Sequence, residues 1–97
     1  MIRGLLLVTV LATSACGPIG YANEVARRAA SSVDEARALD APKHAPYWWT
    51  RATQYLEKAR ELAAVADFQA SNRYGRLAAE AADQAAAESR LKAGETP

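Results

Sequence analysis

Small apolar residues recur at helical spacing along most of this chain. The first set follows Pro18 at steps of three and four, and its members are Ala22, Val25, Ala29, Ser32, Ala36 and Leu39. Such steps place residues on one face of a helix, with the charged residues between them mainly on the other face. The pattern predicts a first helix within residues 16–41.

Prolines interrupt this pattern in residues 42–46. Pro42 and Pro46 lack the N–H that a helix interior requires, although Pro46 suits the first turn of a new helix. Residues 42–46 are therefore predicted to form a short, stiff linker.

Two further sets of small and aromatic residues lie in residues 47–93. The second set comprises Trp48, Ala52, Tyr55, Ala59, Leu62 and Ala66. The third set comprises Ser71, Tyr74, Ala78, Ala81 and Ala85. The spacing slips between these two sets, which leaves two interpretations. Either one helix ends near Ala66 and Asp67 caps the next, or a single helix continues through the slip.

The residue types in this region do not decide between the two interpretations. Residues 47–74 contain neither Gly nor Pro, which favours a single helix. A helix of about 45 residues, however, buries so thin an apolar stripe only by pairing with another chain. Residues 94–97 are predicted to be a disordered tail.

The apolar composition indicates a thin core. Apolar residues make up 51% of the 97 residues, but 24 residues are alanine. Few large side chains remain to offset the conformational entropy that a chain this short loses on folding. We expect marginal stability, or support from a membrane or a partner.

The charges are almost balanced, with 12 Lys and Arg against 11 Asp and Glu. The longest basic run is the pair Arg27 and Arg28, and Glu24 lies close to it. Because a basic patch is the footprint of nucleic-acid binding, we predict no nucleic-acid partner.

Residues 1–15 have the three parts of a secretory signal peptide. Arg3 supplies a positive charge, residues 5–12 are apolar apart from Thr9, and residues 13–15 are small. A membrane-spanning helix needs about 20 apolar residues, so this run is too short to remain as one. A helix buried in a cytosolic domain is the alternative interpretation.

Cys16, the only cysteine, directly follows the small residues. Cleavage after Ala15 by an ordinary signal peptidase would leave a lone thiol in an oxidising compartment, as part of a soluble secreted protein. The segment resembles instead the leader of bacterial lipoproteins, in which this cysteine receives a diacylglycerol. It departs from the usual leader at Thr13, where an aliphatic residue is common. The resemblance implies that Cys16 is the lipid-attachment residue, and Gly17 in place of aspartate implies the outer membrane.

The sequence ATQYLEKARELAAVADFQASNRYGRLAAEAADQA, residues 52–85, resembles short alanine-rich helical domains of unknown function in bacterial lipoproteins. It is also similar to a tetratricopeptide hairpin, in which small residues let two helices pack closely and an Asp-aromatic pair begins the second helix. Asp67 and Phe68 match that pair, whereas Ser71 stands where alanine is expected. The resemblance implies an all-α fold: a signal-peptide helix, then a small three-helix arrangement containing an antiparallel hairpin with its turn near Asp67.

Candidate catalytic residues are scarce. His44 is the only histidine, and it lies in the linker, where an imidazole is usually solvated. No second histidine or further cysteine is present to complete a metal site, and no serine has a His-Asp constellation. We predict no enzymatic activity, no cofactor and no metal.

The sequence APYWWT, residues 45–50, is the most suggestive of binding. Adjacent side chains project about 100° apart on a helix, so Trp48 enters the apolar face while Trp49 lies at its edge. In one interpretation both pack against the linker and the first helix. In the other, Trp49 and Tyr47 form an exposed anchor for a partner protein or a lipid surface. Tyr47, Trp48 and Trp49 are therefore the candidate contact residues.

Together these features predict a non-catalytic lipoprotein of a bacterial cell envelope that acts as a helical protein-interaction module. We expect it to be anchored through lipid on Cys16 at the outer membrane, facing the periplasm, with an envelope protein as its partner. The alternative is a structural spacer whose helices self-associate into a homo-oligomer.

Overall fold

Four helices account for nearly all of the chain that the computed structural model describes, which is residues 18–95. They are α1 (Pro18–Ala38), α2 (Ala41–His44), α3 (Pro46–Ala64) and α4 (Phe68–Glu95). No strand occurs among residues 18–95, so the predicted all-α fold is confirmed. The predicted signal peptide, residues 1–15, and Cys16 lie outside the described residues.

The three long helices run up, down and up. α3 and α4 form an antiparallel hairpin, and α1 packs mainly along α4. Val25 of α1 lies against Gly75 of α4, and Glu35 pairs with Arg90 farther along both helices. Since both contacts advance in the same direction, α1 and α4 are parallel. Both begin at the end of the bundle where the α3–α4 turn lies.

Alanine dominates the core. Thirteen apolar residues among those described are buried, and eleven of them are alanine; the other two are Val33 and Leu56. Side chains this small let helix backbones approach closely, so contact between neighbouring main chains replaces interlocking large side chains. The predicted thin core is confirmed, although Val33 and Leu56 each lie one residue away from a member of the predicted sets.

α1 approaches α4 closely at Gly75. A Cβ atom at this position would lie 2.8 Å from Cγ1 of Val25. That distance is well below ordinary van der Waals contact, and Val is stiff at χ1 within a helix, so the side chain has little freedom to retreat. Glycine is therefore required here by the neighbouring helix, while the backbone of α4 remains regular.

The backbone geometry between α3 and α4 distinguishes a hairpin from one long helix. The N–H of Asp67 donates to the Leu62 carbonyl (2.9 Å), and the N–H of Ala66 donates to the Ala63 carbonyl (3.0 Å). These are the two bonds of a Schellman motif, which ends a helix with one residue in the left-handed region. That residue is Ala66, with φ of 60°. The hairpin is confirmed; the expectation that Ala66 belongs to the buried set is wrong, because this turn exposes it.

Two side chains at the start of α4 complete the hairpin. A carboxylate oxygen of Asp67 accepts the N–H of Ala70 (3.3 Å), which is the N-cap bond expected of this residue. The buried hydroxyl of Ser71 donates to the Ala59 carbonyl of α3 (2.7 Å). Ser71, which departs from the tetratricopeptide pattern, thus links the two helices by a hydrogen bond that alanine could not make.

The linker contains more helix than its prolines suggested. α1 ends at Ala38, because Asp40 adopts the left-handed region with φ of 60°. The next four residues form α2, a single turn in which Pro42 occupies one of the first positions, where no N–H is needed. Ala45 is fully buried, so the linker also forms part of the core.

The predicted disordered tail is wrong for Gly94 and Glu95, which are helical. Lys92 supports the last turns of α4, since its ammonium pairs with Glu88 (3.0 Å) and donates to the His44 carbonyl. These contacts hold the end of α4 against α2.

We predict that Ala66→Gly stabilises the protein by about 1 kcal/mol, because glycine adopts the left-handed region without the steric cost that a Cβ imposes. In a domain this small, that gain raises Tm by roughly 4–8 °C. The measurement is thermal unfolding followed by far-ultraviolet circular dichroism. Ala64→Gly is the control: it places glycine in the last turn of α3 and should lower Tm. A decrease in Tm for both variants would indicate a continuous helix.

We also predict that the effect of Gly75→Ala changes sign with the residue at position 25. In the natural sequence, the contact with Val25 should outweigh the gain of up to ~1 kcal/mol in helix propensity, and stability should fall. In a Val25→Ala background the space is open, and the same substitution should raise stability. Urea unfolding of the four proteins measures the coupling. Equal stabilisation in both backgrounds would contradict the close approach.

Candidate functional site

The predicted lipid-attachment residue, Cys16, lies outside the described residues, two positions before α1 begins. Among residues 18–95, no helix is both long enough and apolar enough to cross a membrane.

The three predicted contact residues occupy the first turn of α3, and they differ in how far they are exposed. Trp48 and Trp49 are half-buried and pack against the core, whereas Tyr47 is 61% exposed. The rings of Tyr47 and Trp48 meet edge to face, with centroids 5.0 Å apart. Trp49 turns toward α1, where the guanidinium of Arg37 lies over its ring at 5.3 Å. Tyr47 is thus the most accessible of the three, and Trp49 serves the contact between α1 and α3.

An arginine between two tyrosines extends the aromatic surface along α3. The guanidinium of Arg51 lies 5.6 Å from the ring centroid of Tyr47 and 5.2 Å from that of Tyr55. It also donates a hydrogen bond to the Tyr55 hydroxyl. The ring of Tyr55 in turn lies 6.0 Å from that of Tyr74 on α4. Each cation–π contact at such an exposed site contributes about 0.5–1 kcal/mol, so the side chains are ordered without being buried.

A shallow groove of about 300 Å³ lies between α3 and α4, beside these residues. We name it the aromatic groove, and its lining residues are Trp48, Arg51, Tyr55, Leu77, Glu80, Ala81 and Gln84. The groove is open because α1 packs on the hairpin without covering this seam. It combines an apolar floor, aromatic walls and hydrogen-bonding groups at its edges.

Sequence reasoning identified only part of this groove. It named Trp48 as a candidate contact residue and assigned Tyr55 to the second set of small and aromatic residues, but it gave Arg51 no role. The available signal was the spacing of Tyr47, Arg51 and Tyr55, since residues four apart are neighbours on a helix surface. Leu77 carried no comparable signal, because only the packing of α4 against α3 brings it to the groove.

A wider groove, of about 640 Å³, runs between α1 and α4. Its charged lining residues are Glu24, Arg28, Arg76, Glu80 and Asp83, and Gly75 and Ala79 lie at its floor. The groove is lined by both acidic and basic side chains, and the described residues around it include no aromatic side chain. Volume alone therefore does not make it the better candidate, because the aromatic groove has the residue types that contribute most to protein interfaces.

The described residues offer no arrangement suited to metal chemistry. No cluster of three or more His, Cys, Asp or Glu able to hold a metal ion occurs in the described part of the chain. The side chain of His44 is 23% exposed, and its Nε2 lies 4.0 Å from a carboxylate oxygen of Asp40. Other acidic residues pair with bases on the surface, as Glu61 does with Lys58 (3.6 Å).

Comparison with known proteins found no match to this chain among family models, curated proteins or solved structures.

Proposed function

We propose that this protein is a lipoprotein of a bacterial cell envelope that binds a partner protein through the aromatic groove. Lipid on Cys16 would anchor the protein in the outer membrane, and the protein would face the periplasm. The short alanine-rich helical domains of bacterial lipoproteins are the family it resembles in sequence. Its role in this proposal is interaction, without catalysis.

The observation that carries this proposal is the composition of the aromatic groove. Tyr, Trp and Arg are the residue types that contribute most to protein interfaces. Here Trp48 and Arg51 line the groove, and Tyr47 lies at its edge in contact with both. Arg51 is held by two rings, so little side-chain entropy remains to be lost when a partner binds. Because Tyr47 is exposed, an approaching partner can contact its ring first.

The alternative, a self-associating spacer, has less support. Such a spacer would need a stripe of small residues that remains available to other copies of the chain. Along α4, the small residues of the third set pack instead against α1 and α3 of the same chain, as Ala78 and Ala85 do.

Lipid attachment is tested by the intact mass of the full-length protein purified from its own membranes. The expected mass is that of the chain from Cys16 plus a diacylglycerol, with or without a further acyl group. A Cys16→Ser variant should retain its leader and carry no lipid. A chain that begins at Cys16 without lipid, or that still begins at Met1, would contradict the anchor.

Partner binding is tested by a photo-cross-linking amino acid placed at position 47 in living cells. Because Tyr47 is 61% exposed, the replacement should leave the fold intact. We expect a discrete cross-linked product that disappears when Arg51→Ala is added. The matched control is the same amino acid at Leu91, which is 70% exposed but, unlike Tyr47, makes no ring contact with the residues that line the aromatic groove. Equal products from both positions would indicate nonspecific contact, and a product that contains only this chain would favour the spacer.

A further inference from the structure

The α3–α4 turn presents an unusually apolar surface. Residues 62–66 are Leu-Ala-Ala-Val-Ala, and Val65 at the tip is 74% exposed. Turns are ordinarily built from Gly, Pro, Asn, Asp and Ser, and they are polar because water surrounds them. Phe68, just after the turn, is only half-buried. We name residues 62–68 the turn surface.

The first residue of α1 lies at the same level of the bundle as the turn surface. Val25 is opposite Gly75, and the two helices are parallel. Counting back seven residues from each gives Pro18 and Phe68, and both steps cover about 10 Å of helix axis. Val65 and Ala66 lie just beyond that level.

The sequence fixes how far this end of the bundle can be from the proposed lipid. Cys16 and Pro18 are two positions apart, with Gly17 between them, and even a fully extended chain spans no more than about 7 Å over that distance. A bundle anchored through Cys16 therefore has its turn surface within reach of the lipid headgroups.

The charge distribution along the bundle agrees with this placement. The half nearest the turn surface, residues 18–28 and 56–78, has six Lys and Arg against four Asp and Glu. The opposite half, residues 29–55 and 79–95, has five against seven. Arg60, Arg73 and Arg76 lie in the positive half, where anionic headgroups would attract them. The negative half would be repelled from the same surface.

We propose that the turn surface rests on the phospholipid bilayer to which Cys16 is attached, with Val65 inserted at the headgroup–acyl boundary. This inference rests on the proposed lipidation. The bundle then stands on the membrane, and the aromatic groove begins near the opposite end of α3. Since α3 has 19 residues, Tyr47 lies about 25 Å from the turn surface. At that distance Tyr47 is too far from the bilayer to contact it.

An environment-sensitive dye on Val65→Cys tests this placement in the full-length lipidated protein. Lipid attachment converts the Cys16 thiol to a thioether, so the dye reacts only with the new cysteine. The protein is reconstituted into vesicles of phosphatidylethanolamine and phosphatidylglycerol. We expect blue-shifted emission, quenching by spin-labelled acyl chains, and several-fold weaker quenching by aqueous iodide than in the control.

Leu91→Cys is the matched control, since Leu91 is 70% exposed and lies near the far end of α4. Its dye should emit as in water, and iodide should quench it. Circular dichroism checks that both variants retain the natural Tm, as expected for exposed positions. If the dye at position 65 behaves like the one at position 91 while the protein floats with the vesicles, the inference is overturned.

Two other outcomes identify different failures. A blue shift at position 65 without quenching by the spin-labelled lipids means that protein, such as a second copy of this chain, covers the turn surface, and this also overturns the inference. A protein that stays in solution and also reacts with the dye at Cys16 is not lipidated. That result removes the proposed anchor itself, and the inference with it.

Discussion

Close contact between helix backbones, made possible by small side chains, is the constraint on which this structure depends. Dispersion attraction falls off steeply with distance, so a core of alanine is cohesive only where the main chains of neighbouring helices lie against each other. The contact of Val25 with Gly75 and the hydrogen bond from Ser71 to Ala59 both require that proximity. Any larger residue along these lines separates the helices and removes many small contacts at once.

The same constraint explains where the large side chains are. A core built almost entirely of alanine side chains has no room for indole or phenol rings. Trp48, Trp49 and Tyr55 therefore lie at its margins, half-exposed. There they pack against the alanine core, and their exposed parts remain available for contacts outside the chain. The aromatic groove is therefore a by-product of how this core packs as well as a candidate binding surface.

Periodicity in the sequence was sufficient to predict which residues of the three long helices face the core, including most of the buried alanines, because spacing alone determines which face of a helix is apolar. It did not predict α2, and it left open whether α3 and α4 are one helix or two. The position of the α3–α4 turn was less certain. Its left-handed residue is Ala66, and alanine carries none of the signal that glycine gives. The groove could be predicted only in part. The spacing of Tyr47, Arg51 and Tyr55 makes them neighbours on a helix surface, but only the structure shows the two rings against the guanidinium of Arg51 and brings Leu77 of α4 beside them.

An odd number of long helices also separates the two ends of the folded chain. α1 begins beside the α3–α4 turn, and α4, with 28 residues, ends about 40 Å away along the bundle. A reporter domain or affinity tag fused after Glu95 would consequently be displayed on the side remote from the start of α1. Such a fusion is a practical handle for isolating the protein without covering the surface next to its proposed N-terminal anchor.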